Sequence, residues 1–252
     1  MNRFRQIDAQ GGNIIPAKAF SRKQAVFNEK AALYASQGVI TTPGYLRLET
    51  LAPYNTATSS ISFNTLDTSG SKTCTERRLK LNDTFTITDI SFYLGSGVNG
   101  ATNETPTAAQ YSVQQLNTFP NPNNPSFVTS FDELESLYNG FLSLRVDTTT
   151  FLDSIPMKQF YRVATSQKGV GSATPAQAIQ ADEWPLSMYG RTELLPTIEL
   201  NGQSNIEWSI TLPNATNLSP TSLRFTNMVL ILQGFLNQGA ATVQRKVAQR
   251  LR

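Results

Sequence analysis

The chain has 252 residues, of which 39% are hydrophobic and 15% charged, with a net charge of +3. That length can bury a core of its own without a disulfide or a structural metal. There is no histidine and a single cysteine, Cys74, which excludes His-based triads, Cys–His dyads, internal disulfides and multi-cysteine metal sites.

Thr, Ser, Asn and Gln make up about a third of the residues. Thr favours strands, while Asn and Ser favour turns, so the mix leans toward an all-β fold. The charge is unevenly placed: residues 1–30 carry a net +4, residues 240–252 another +4, and residues 31–239 a net −5. An acidic body between two basic ends points to terminal arms with an anionic partner.

Residues 1–16 read as an extended arm carrying Arg3 and Arg5, with Gly11, Gly12 and Pro16 as breakers. Residues 17–37 read as a helix with Phe20, Phe27, Ala31 and Tyr34 near one face and Gly38 as its cap. Such a helix either lies on the body or docks on a neighbouring subunit or on nucleic acid. From Gly44 the period becomes alternating. Residues 45–51 set Tyr45, Arg47 and Glu49 against Leu46 and Leu48, residues 60–64 alternate through Ile61 and Phe63, and residues 78–81 are a short candidate strand. In "FTITDISFYL", residues 85–94, the apolar phase slips by one at Thr88 and Asp89, which predicts a β-bulge or a strand that changes sheets.

Residues 95–130 form a long polar excursion, and 131–140, "FDELESLYNG", a short helix closed by Asn139 and Gly140. Residues 141–147 and 157–163 are expected as strands, and 167–185 as a second long loop. Residues 195–200 are another strand. In "NIEWSITLP", Ile206, Trp208, Ile210 and Leu212 point one way and Glu207, Ser209 and Thr211 the other, until Pro213 ends the strand. The nearly continuous apolar run at 223–236 predicts a central strand covered on both faces. The last ten residues, "VQRKVAQRLR", hold four cations and no acid, with Val243, Val247 and Leu251 recurring every four residues as in a short basic helix.

About nine strands without β–α alternation predict an all-β protein, an antiparallel β-sandwich of the single jelly-roll type with an N-terminal helical arm and a short basic C-terminal helix. The expected divisions are 1–43 for the basic arm and helix, 44–238 for the sandwich, and 239–252 for the basic tail.

No phosphate-binding or dinucleotide loop is present. Cys74 has no partner base nearby in sequence. Asp132, Glu133 and Glu135 read as the first turn of a helix, where acids suit the macrodipole. Asp182 and Glu183 beside Trp184 read as an exposed turn, with sugar binding by the loop aromatic as the alternative; either acid group is also the kind of carboxylate pair that a glycosidase needs. The expectation is therefore a protein that is not an enzyme, with no cofactor, no metal and no small-molecule substrate. The cations Arg3, Arg5, Arg245, Lys246, Arg250 and Arg252 are the candidate contacts to nucleic-acid phosphates or an anionic membrane surface. They lack interleaved aromatics, so any nucleic-acid contact is expected to be non-specific.

The stretches "LYNGFLSLRVD", "LPTIELNGQSNIEWSITLP" and "RFTNMVLILQGF" are similar in style to jelly-roll coat proteins of tailless icosahedral phages, a resemblance covering roughly residues 40–236. It implies a self-assembling major capsid subunit of the virion, made in the host cytoplasm. The polar start "MNRFRQIDAQGG" and the lack of a run of 18 apolar residues predict no signal peptide and no transmembrane segment. The partners of such a subunit would be copies of itself, other virion proteins, and a genome or internal lipid membrane facing the basic termini. No motif position matches, so no family residue carries over. The competing expectation is a non-catalytic binding module, such as a phage fibre, a decoration protein or a carbohydrate-binding sandwich.

Overall fold

The computed structural model describes residues 17–35, 37–68, 75–98, 131–161, 191–219 and 224–242. Among them the chain is mostly strand. Helix α1 spans Ala17–Ala35, followed by β1 (Ile40–Leu51), β2 (Thr58–Asn64) and β3 (Thr84–Val98). Helix α2 (Phe131–Tyr138) precedes β4 (Phe141–Val146) and β5 (Thr149–Pro156). A 3-10 turn at Met157–Phe160 is followed by β6 (Arg191–Asn201), β7 (Ile206–Thr216) and β8 (Arg224–Gln238).

The strands form two four-stranded antiparallel sheets, ordered β1-β8-β3-β6 and β2-β7-β4-β5. We call them the first and second sheet. Pairing is nested in sequence: β1 with β8, β2 with β7, β3 with β6, β4 with β5, while β3–β8 and β4–β7 complete each sheet. The sheets pack face to face over one apolar cluster. Leu46, Leu48, Phe92 and Leu230 on the first sheet and Phe63, Leu144, Trp208 and Ile210 on the second belong to it. Alternation explains this arrangement, since residues two apart on a strand share a face.

The slip at Thr88 is a bulge. The register shifts between Ile87 and Asp89 against both β6 and β8. The extra residue keeps Ile87 and Ile90 both in the core and turns Asp89 outward. On β8 beside the bulge, a Cβ at Gly234 would lie 1.8 Å from the Thr86 carbonyl oxygen, so only glycine lets the two backbones approach.

Strand β8 lies between β1 and β3, as its apolar run predicts. Other expectations are corrected. Residues 157–160 are a 3-10 turn and not a strand; Met157 and Phe160, three apart, face the same way and are buried. The strand in this region is β5, an edge strand exposed along most of its length and so without a readable alternation. Residues 78–81 make no strand; Arg77 bridges Arg47 and Leu79 bridges Leu66 as isolated pairs. Pro213 does not end β7, which runs on to Thr216. Pairing with β4 ends at Thr211, and the β2 register is irregular between Thr58 and Ser60, so the missing N–H of Pro213 costs no ladder bond. Eight strands, not nine, lie among the described residues.

The registers give the sandwich a polarity. At one end lie the β1–β2 turn, the end of β3, the starts of β4 and β8, and the ends of β5 and β7. The connections 99–130 and 162–190 therefore both leave from that end. The ends of α1 and β8 lie at the opposite end, where Gly239 N–H donates to Asp83 Oδ1 at 2.8 Å.

Candidate functional site

The facing sides of the sheets are filled by the apolar core, so among the described residues the polar groups gather on the outer faces and at the ends. On the outer face of the first sheet, Asp89 of β3 stands directly opposite Glu193 of β6, and Glu199 stands opposite Thr86. Like charges paired across strands repel. Helix α1 answers them. Arg22 reaches Glu193 at 3.1 Å and Lys23 reaches the Asp89 carboxylate at 2.7 Å. Lys30 and the Tyr34 hydroxyl both bond Glu199, the hydroxyl at 2.5 Å. Thr88 Oγ1 donates to Asp89 Oδ2 at 2.6 Å, so the bulge residue itself helps to hold this carboxylate. Among the described residues apolar contacts add to these pairs: Phe27 tilts against Phe235 with ring centroids 5.3 Å apart, and Tyr34 is buried. A shallow cleft beside the helix, lined by Arg22, Lys23, Val26, Thr88, Glu193 and Leu194, has a volume of about 10 Å³, the room of about one water.

The β1 edge of the same sheet carries a second polar cluster. Glu49 is buried although it points outward, because residues 75–77 run beside it. Its Oε1 accepts from Arg47 Nε at 2.6 Å and Thr75 Oγ1 at 2.7 Å, and its Oε2 from Asn227 Nδ2 at 3.2 Å. Glu76 takes a bidentate pair from Arg78 at 2.8 Å, with both side chains buried. Arg77 stacks over the Tyr45 ring at 5.1 Å. Every carboxylate oxygen here has a donor, so the cluster ties the 75–79 segment down and covers an otherwise open sheet edge.

The outer face of the second sheet carries small polar side chains at its middle. Ser62, Ser209 and Ser143 stand side by side across β2, β7 and β4, and Asn64, Glu207 and Arg145 make the next row but one. Phe141 and Phe151 are its exposed aromatics.

Arg3, Arg5, Arg245, Lys246, Arg250 and Arg252 lie outside the described residues, as do Cys74, Asp182, Glu183 and Trp184. A helical turn opens at Ala240, and residues 243–252 are likewise outside. Asp132 and Glu133 occupy the first turn of α2, where the helix dipole favours them. Among the described residues no group of three or more His, Cys, Asp or Glu is placed to hold a metal, and no helix is long and apolar enough to cross a membrane.

The carboxylates Asp89, Glu193 and Glu199 were not singled out by the sequence. The signal was present in α1: Lys23, Phe27, Lys30 and Tyr34 follow the i, i+4, i+7, i+11 spacing of a single helix face. Cations on the same face as the aromatics require acids on the surface that receives them. Compared with family models, curated proteins and solved structures, the chain matches none of them.

Proposed function

We propose that this chain is a coat subunit that assembles with copies of itself into the shell of an icosahedral phage, and that its sandwich is a single jelly roll. The observation that carries the reading is the nested pairing of β1 with β8, β2 with β7, β3 with β6 and β4 with β5. A long antiparallel ribbon wrapped into two sheets is the jelly-roll plan, which recurs in capsid, lectin and cupin domains. Function therefore has to come from surfaces, not from fold alone.

The mechanism is geometric. Rigid sheets set the shape of the subunit, and many modest interfaces close a shell by symmetry. Arg22, Lys23 and Lys30 are already paired with carboxylates. The anionic interior, whether genome or internal membrane, then falls to Arg3, Arg5, Arg245, Lys246, Arg250 and Arg252. The test is size-exclusion chromatography with light scattering and absorbance at two wavelengths, before and after nuclease and high salt. Large particles or capsomer-sized oligomers that shed nucleic acid steeply with salt are expected. A monomer free of nucleic acid under all conditions would overturn the reading.

The second reading, a non-catalytic binding module, draws on one observation: the connections 99–130 and 162–190 leave the same end of the sandwich. It expects the isolated protein to be retained on immobilised glycans, with retention lost in Trp184→Ala.

A further inference from the structure

Helix α1 is attached to the sandwich in an unusual way. It lies outside the main apolar core; Tyr34 joins only a small separate cluster with Val39 and Ala240. Three ion pairs tie it to the sheet, Arg22, Lys23 and Lys30 on Glu193, Asp89 and Glu199, beside the Phe27–Phe235 contact. The link to β1 is residues 36–39, where Gly38 sits at φ +71 with nothing within 4 Å of a Cβ position. Leu33 and Ile40 flank this link and are 54% and 63% exposed.

We propose that α1 is an exchangeable arm, which in the assembled protein docks on the first sheet of a second copy through the same three cation–carboxylate pairs. Charge, symmetry and exposure together select that occupant. The Asp89–Glu193 pair is unfavourable when bare, so a departing helix has to be replaced by one with the same charges at the same spacing, and a second copy supplies it. Reciprocal exchange remakes every contact of the closed subunit, so the two states differ only at the hinge. Leu33 and Ile40 stand exposed at the link, where the link of a second copy would give them apolar cover. The proposal rests on the self-assembly reading, and its test separates the two.

The test uses two full-length charge-reversal chains, Lys23→Glu with Lys30→Glu, and Asp89→Lys with Glu199→Lys. Alone, each opposes its own helix, whether that helix docks within the chain or between copies. Mixed, they complement one another only by exchange. The expected result is that the equimolar mixture doubles its apparent mass by light scattering and regains protection of α1 from protease. The proposal is overturned if the folded variants stay separate while a chain carrying all four changes protects its own α1. If either variant fails to fold, carbodiimide cross-linking of wild-type protein assembled from equal light and heavy isotope pools decides. Cross-links of residue 23 to residue 89 that join one light and one heavy peptide, approaching half of the total, support exchange, and same-label cross-links alone overturn it. A wild-type protein that never assembles, together with charge variants that pair on mixing, would sink the shell reading and leave the exchangeable arm standing.

Discussion

The two sheets share one core yet present opposite outer surfaces. The first turns carboxylates outward and is covered by a helix that neutralises them. The second turns hydroxyls outward, with Ser62, Ser143 and Ser209 in a row, and its carboxylate Glu207 stands opposite Arg145. Alternation permits either outcome, because it specifies only that one face is apolar. What separates them is charge. A carboxylate opposite another carboxylate needs a cation, whereas a hydroxyl is content with water.

Changes in the shared layer should cost most. Trp208→Ala empties a fully buried position between the sheets and is expected to lose roughly 3–5 kcal/mol, read from urea unfolding followed by circular dichroism. A loss of a few tenths would mean the sheets do not pack there. Next is the covered edge. Arg78→Met strips Glu76 of its bidentate partner in a buried setting and should cost roughly 3 kcal/mol by the same measurement. Gly234→Ala forces a methyl group against the Thr86 carbonyl and should cost about 2–3 kcal/mol, with the bulge region losing amide-exchange protection first.

Smaller effects bear on the contrast between the faces themselves. Raising salt from about 0.1 M to about 1 M shortens the screening length from about 10 Å to about 3 Å. Tryptic cleavage after Lys23 or Lys30 should then quicken several-fold while the sandwich stays folded, because α1 is held by partly exposed pairs worth on the order of 1 kcal/mol each. Equal cleavage at both salts would show that Phe27 and Tyr34, and not the ions, hold the helix. On the outer face of the second sheet, Ser209→Ala should change stability by no more than about 0.5 kcal/mol. A larger loss would reveal that this face, too, is covered.

Legibility followed locality. The strands with one buried face, such as β7 with Trp208 and Ile210 inward, showed their period in the sequence. So did the bulge, because inserting Thr88 shifts the apolar phase within a single strand. Strand β5 was missed because an edge exposed along most of its length has no period to read. The 3-10 turn was misread as a strand because Met157 and Phe160 are as apolar as strand residues, and their spacing of three is too short a pattern to stand out. Pro213 misled because its effect depends on whether a neighbour needs its N–H, and the register decides that.

By itself, then, the sequence determined that the chain is β-rich, which residues face inward along most strands, where the apolar phase of β3 slips, and that an acidic body lies between basic ends. The tertiary structure decided which strands pair, and that three cations of the N-terminal region are spent on the protein's own carboxylates. The reason is range. Periodicity is written in neighbours, whereas Lys23 meets Asp89 across 66 residues and Lys30 meets Glu199 across 169. A charge has a sign in the sequence, but it acquires a partner only when a surface is brought to face it.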